Sequence, residues 1–366
     1  MTRKTINRRQ FNTWLASGLL LSAPSARTEG ATGKDNPASK NPPAQIQAAA
    51  IQMVPRLADV KWNMNQAEQL IRKAQKMGAQ WIILPEMFTS AAAFHPDMHL
   101  AIQPLDGAPF KMLKQLSSEL KVVVGGSFLA EREQQVFNTF VLAFPDGTVV
   151  YHDKDAPTYW ENCYYKGGND DGVLSTPIGP VGSMLCWEII RSRTSKRLFN
   201  KVKMVVSGSC WWTLPDDADA DSPRRADNLK MLQQAAPRVA KMLGVPVIHG
   251  SHAGNFQGFF SPELPDVEYN SEFLGEAMIV DAGGKVLARR AKSSGEGVVL
   301  ARVDLVDNPV PSQLIPDSFW IPQEMPEDWK SSWERWHGKG GDYYKRVTEE
   351  YLKTGIVPEY TPEYLR

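Results

Sequence analysis

The stretch Gly179-Pro-Val-Gly-Ser-Met-Leu-Cys-Trp-Glu-Ile-Ile-Arg191 decides how this chain is read. Val181 to Leu185 is an apolar, strand-like run that stops at Cys186; Trp187, Glu188 and a helix-compatible stretch follow. A strand end opening into a helix puts its last residue at the mouth of a cleft. A cysteine there has an unperturbed pKa near ~8.5 and stays mostly a thiol at neutral pH unless a base or a cation assists it. The alternative is a buried structural cysteine, and partners elsewhere in the chain separate the two readings.

Upstream, Ile46 to Val54 suits a strand, and Val60, Met64, Ala67, Ile71, Ala74 and Met77 recur at helical spacing before Gly78 stops them. Trp81 to Leu84 is a short, wholly apolar strand, so the three elements form a parallel unit with a right-handed crossover. Pro85-Glu86 ends it, setting a carboxylate at the C-terminal tip of a buried strand, where open α/β sheets place their sites. Partial burial would raise that carboxyl toward the range of a general base. Leu113, Leu116 and Leu120 suit a helix; Val122 to Phe128, Phe137 to Phe144 and Val149 to Tyr151 suit strands. Between His152 and Asn162 lies an irregular, aromatic segment carrying Lys154 and Glu161, the kind of loop that bears function on a rigid sheet. Gly167 to Gly172 lacks the ending and context of a phosphate loop and reads as a plain turn.

Downstream, Leu198 and Phe199 fall in a helix, and Val202 to Val206 is a strand ending in Ser207-Gly-Ser-Cys-Trp-Trp212. Asp217, Asp219 and Asp221 mimic the opening of a calcium loop, but Ser222 and Asn228 stand where Gly and Glu are needed, so an exposed acidic loop is expected. Asn228 to Leu243 is helix-compatible apart from Pro237, and Val245 to Gly250 is a buried strand. His249 and His252 have no third ligand at a useful spacing; they read as satisfied loop histidines, and no metal is expected. Ala277 to Val280, the Asp281 to Gly284 turn and Val286 to Ala288 form a hairpin, followed by a last strand, Val298 to Val303. Beyond Asp304 no core-forming period is visible. That tail, with Trp320, Trp329, Trp333 and Trp336, is expected to pack over the body or a partner subunit.

Acidic and basic residues balance at 41 each among 366, which argues against nucleic acid or an anionic membrane surface as partner. Residues 1–30 read as an export signal: Arg3, Lys4 and Arg8-Arg9-Gln10-Phe11, of twin-arginine type, precede the apolar run Trp14 to Ala23, too short to span a bilayer. Residues 31–44, rich in Pro, Ala, Asn and Lys, read as a linker. Export predicts a periplasmic or secreted protein. Cys163, Cys186 and Cys210 are too few and too widely spaced for a disulfide framework or a zinc site.

Glu86, Lys154 and Cys186 can together do what none does alone. The carboxylate takes the thiol proton, the thiolate attacks an electrophilic carbon, and the lysine offers charge to the atom that becomes anionic. Leu84-Pro-Glu-Met-Phe88, the lysine segment from His152, Leu185-Cys-Trp-Glu188 and the Met278 to Asp281 hairpin resemble the nitrilase superfamily of carbon-nitrogen hydrolases, from about Gln45 to Asp304. The pattern Lys154-x-x-Pro157-Thr158-x-x-Glu161 is similar to the nitrilase branch, although Ile189 and Ile190 stand where nitrilases usually have His and Leu. The resemblance implies an α/β fold, a four-layer α-β-β-α sandwich, spanning residues 45–305, with 306–366 as an extension. It also implies no cofactor, a homo-oligomer, Glu161 as a second, substrate-placing glutamate, and an oxyanion pocket made by Lys154 and the backbone N–H of Trp187. Phe88, Tyr159, Trp160, Trp187 and the Trp211-Trp212 pair are expected to line or support the pocket, one of that pair, taken as Trp211, facing substrate. The expected reaction is hydrolysis of a small nitrile or amide to an acid and ammonia. An acyltransferase, an N-carbamoyl amidohydrolase and a non-catalytic exported binding protein stay open. A serine hydrolase lacks its Gly-x-Ser-x-Gly elbow here, and a metallohydrolase its His-Glu-x-x-His.

Overall fold

A computed structural model of the chain describes residues 44–215 and 222–360. The export signal, nearly all of the linker and the Asp217, Asp219, Asp221 segment lie outside these residues. Strand β1 (Gln45–Met53) leads through helix α1 (Val60–Lys76) to β2 (Trp81–Ile83), which pairs parallel with it. Asp59 starts α1 by accepting the Trp62 N–H at 3.0 Å, and Ala67, Ile71 and Ala74 form its buried face. Helix α2 (Ala108–Leu120) and strands β3 (Val123–Arg132), β4 (Gln135–Ala143) and β5 (Val149–Asp153) follow. Next come β6 (Val173–Thr176), β7 (Gly179–Leu185), α3 (Ser192–Leu198), β8 (Val205–Ser209), α4 (Pro223–Leu243), β9 (Val247–Phe256), β10 (Ser271–Val280), β11 (Val286–Ala291) and β12 (Gly297–Asp304).

Among the described residues the pairings resolve into two sheets, β5-β4-β3-β2-β1-β12 and β6-β7-β8-β9-β10-β11, joined where Gln52 and Met53 pair with Ser251 and His252, with the short strand Gln103–Pro104 added beside β3. Alternation along each strand sorts the core into three layers. Ala48, Ala50, Trp81 and Ile83 meet Val181, Leu185, Val206 and Ile248 between the sheets. Ala49, Ile51, Ile82 and Phe128 turn outward onto α1 and α2, while Met184, Val205, Val247 and Val280 turn outward onto α4. The fold is the expected four-layer α-β-β-α sandwich.

Three readings change. Helix α4 begins at Pro223 and carries Pro237 inside it. His249 and His252 sit on strand β9 rather than in a loop. The tail does hold a helical period, in aromatic residues: α5 (Glu327–Tyr343) presents Trp329, Trp333, Gly340 and Tyr343 to the body, and a π-helical turn, Tyr344–Thr348, runs on into α6 (Glu349–Thr354). Gly338, Gly340 and Gly341 disguise it, because glycine is a poor helix former read from sequence alone.

Candidate active site

Three turns at strand ends bring the central side chains together. Glu86 follows β2, Lys154 follows β5, and Cys186 follows β7; all three are completely buried. Each turn passes through the left-handed region without glycine, at Met87 (φ 45°), Tyr159 (φ 50°) and Cys186 itself (φ 48°), a local strain that surrounding packing must hold. The sheets approach closely here. A Cβ on Gly208 of β8 would lie 2.6 Å from the Glu86 backbone N, and one on Gly250 of β9 would lie 2.7 Å from the Leu84 carbonyl carbon. Only glycine lets both strands pass beneath Glu86.

Lys154 Nζ donates to Glu86 Oε1 at 2.9 Å and to Glu161 Oε2 at 2.6 Å. Glu86 also accepts from Asn138 Nδ2 at 2.9 Å and from the Cys210 backbone N–H at 3.0 Å. Burial, reinforced by Glu161 and opposed by Lys154, pushes the Glu86 carboxyl up to about 6. Burial alone would discharge Lys154, yet Glu161 and Glu86 outweigh it and hold the ammonium well above its ordinary value. Burial also drives the Cys186 thiol well above its usual pKa, with Glu86 adding to the rise and Lys154 opposing it. Burial thus favours the neutral thiol at Cys186, within the electrostatic reach of the Glu86 carboxyl and the Lys154 ammonium.

A second set of charges fixes these turns to one another. His152 links Glu188 Oε2 at 3.0 Å to Asp170 Oδ1 at 2.5 Å; burial opposes its charge, but the two carboxylates prevail and push it up to about 10. Glu188 also accepts the Leu185 and Asp155 backbone N–H groups, at 2.8 and 2.9 Å. Although burial opposes its charge, His152 and Arg191 hold it well below the usual carboxylate range. Asp155, beside the lysine, pairs with Arg191 at 2.9 Å, Arg193 at 3.1 Å and Arg197 at 3.0 Å. The Gly167 to Gly172 segment is thus more than a plain turn, because Asp170 anchors the lysine strand through His152 and the Asp153 N–H.

Residues 47–308 match the carbon-nitrogen hydrolase family. The chain belongs to that family. An N-carbamoylputrescine amidase from Arabidopsis thaliana is 25% identical over 262 residues, 68% of this chain and 83% of that protein. A nitrilase from Pyrococcus abyssi is 25% identical over 267 residues, 71% and 90% of the two chains. The solved structure of a carbon-nitrogen hydrolase from Helicobacter pylori shares the fold, with a TM-score of 0.60 at 17% identity, covering 85% of this chain and 98% of that one.

In this carbon-nitrogen hydrolase the expected aromatic residues do not all gather at the site. Trp187 meets Tyr159 edge-on with centroids 5.2 Å apart and Trp211 at 5.8 Å. Trp160 stacks on Trp212 at 4.5 Å. Trp211 is the buried member of its pair and gives its indole N–H to Asn228 at 2.8 Å, whereas Trp212 is partly exposed. Phe88 is not brought to the cluster: it packs with Ile82, Leu84 and Phe128 under α1 and α2. Glu161 meets Lys154, Tyr165 and the Thr158 N–H through Oε2, while its buried Oε1 has no protein partner. His249 bonds the Ser207 hydroxyl through Nδ1 at 3.0 Å, and His252 donates from Nε2 to the Glu86 carbonyl at 2.8 Å, so each is engaged through one ring nitrogen, while His249 Nε2 and His252 Nδ1 are buried without a hydrogen-bond partner. Among the described residues no His, Cys, Asp and Glu cluster could hold a metal. Motif reading missed His152, Asp170, Glu188, Arg191 and the two strand glycines as site residues. An isolated glycine inside an apolar strand, as in Ser207-Gly-Ser209 and His249-Gly-Ser251, was the available signal for the last two.

Proposed function

We propose that this enzyme hydrolyses the carbon–nitrogen bond of a small amide or nitrile through a thioester on Cys186. The observation that carries this reading is the Glu86 carboxyl, pushed up to about 6 and bonded to Lys154 at 2.9 Å, in a site whose charges also act on the Cys186 thiol. With an amide, Glu86 takes the Cys186 proton as Sγ attacks the carbonyl carbon, so no free thiolate accumulates. Lys154 and the Trp187 backbone N–H meet the oxygen that becomes negative. Collapse breaks the C–N bond, and Glu86 returns the proton to the departing amine. Water then attacks the thioester carbonyl, Glu86 accepts its proton, and the carboxylic acid leaves as the thiol is restored. Glu161 orients the lysine and, through Oε1, the substrate nitrogen; Tyr159, Trp160, Trp187 and Trp211 form or support an apolar surround.

We further propose export through the Arg8-Arg9 signal and action as a homo-oligomer in the periplasm or outside the cell. The deciding experiment is intact-protein mass spectrometry with a panel of nitriles and primary amides, ammonia being followed in parallel. An adduct on Cys186 with ammonia release upholds the mechanism, and the active compounds separate amide from nitrile. No adduct, no ammonia and a Cys186 that resists alkylation would overturn it in favour of a binding protein.

A further inference from the structure

The family match stops at residue 308, yet the chain beyond it lies against the site. Phe319 accepts the Ser192 N–H and Ile321 donates to the Ile190 carbonyl, both at 2.9 Å, so the segment bridges directly onto the turn that follows Cys186. Trp320 is buried edge-on against Trp187, centroids 5.5 Å apart at 88°, and Trp333 covers Trp320 in turn at 5.3 Å. Helix α5 lies on the other turn. Tyr159 donates its hydroxyl to the Trp329 carbonyl at 3.3 Å, and Gly340 sits so close to Asn162 that a Cβ there would come within 2.5 Å of the Asn162 Cβ.

We propose that the segment from Phe319 to Thr348 is the outer wall of this active site and admits compact substrates while refusing bulky ones, with Trp320 its specificity-determining residue. The proposal rests on Cys186 being the reactive thiol. Glu86, Lys154 and Cys186 are wholly enclosed, so some part of the surround yields when a substrate enters. Within that wall, helix α5 is held by few buried residues. Of its residues only Gly340 and Tyr343 are buried, and ion pairs tie it to the body at the surface, the exposed Arg224 with Asp328 at 2.7 Å and Arg335 with the half-buried Glu263 at 3.7 Å. Exposed pairs contribute little, and segments with few buried contacts open first. Trp320 acts as a positioning residue for Trp187 and as a limit on the opening.

The test compares Cys186 alkylation by iodoacetamide and by N-phenylmaleimide in the full chain, with peptide mass spectrometry locating the adduct and thermal unfolding confirming the fold. Trp320→Ala should raise the maleimide-to-iodoacetamide rate ratio by about tenfold, the scale of one or two lost aromatic contacts, and Trp320→Phe should restore most of the discrimination. Asp328→Arg, at the surface, should shift the ratio the same way by about threefold, the scale of one lost exposed pair, and carries the test if Trp320→Ala does not fold. An unchanged ratio in the folded variants overturns the wall. If Cys186 is alkylated normally but no panel compound releases ammonia, the hydrolase reading fails while the ratio still judges the wall. A ratio that stays flat while ammonia release persists overturns the wall alone.

Discussion

Replacing Gly208 by alanine probes whether the approach of the two sheets sets the position of Glu86. The added Cβ would stand 2.6 Å from Glu86 N, 2.8 Å from the Pro85 carbonyl carbon and 3.0 Å from the Leu84 carbonyl oxygen. Ordinary contact begins near 3.4 Å, so the backbone must give by about 0.8 Å, since all three of these neighbours are main chain and none is a flexible side-chain end. Gly208 is not in the left-handed region, so alanine meets no dihedral penalty and the effect is steric. Overpacking of this kind costs roughly 1–3 kcal/mol. A shift of nearly 1 Å in a general base costs on the order of 10²-fold in turnover. Initial rates of ammonia release at varied substrate concentration should show the loss mainly in kcat, and thermal unfolding should fall by roughly 2–10 °C. Gly250→Ala, whose Cβ meets Leu84 rather than Glu86 itself, should lose less activity for a similar loss of stability. A folded Gly208→Ala enzyme with wild-type kcat would refute the reasoning.

Cys186→Ala should remove at least ~10⁴-fold of kcat while the unfolding midpoint stays near that of the parent, because the covalent route is gone and little volume is lost. Lys154→Ala should inactivate too and should also destabilise, since Glu86 and Glu161 would face each other without their shared cation. The profile of kcat/KM against pH should rise through about 6 as Glu86 loses its proton, and Glu86→Gln should abolish turnover at every pH; a flat profile across that region would contradict the assignment. His152, raised in the folded state from 6.5 to about 10, contributes stability that is complete below the unfolded value and is lost as pH rises through the folded one. The difference in melting temperature between the parent and His152→Gln should therefore be largest below about pH 6.5 and shrink toward pH 10, read by calorimetry across a pH series.

Local signals carried much of this protein. The alternation of strands and helices from Gln45 to Asp304, and the order of Glu86, Lys154 and Cys186 at strand ends, are written in period and neighbouring residues. Tertiary structure decided the rest, because it depends on which way a turn faces and what arrives from far along the chain. Phe88 stands two residues from Glu86, yet Met87 bends the backbone through φ 45°, and the phenyl ring goes into the α1 and α2 core while the carboxylate meets Lys154. Asp170, His152 and Glu188 form one charged chain only because the end of β5 in one sheet meets the turn after β7 in the other. Gly208 matters through Glu86, a partner 122 positions away in sequence that no periodicity connects to it. The tail's aromatic period becomes a wall only where Trp187 and Tyr159 are already in place to receive it.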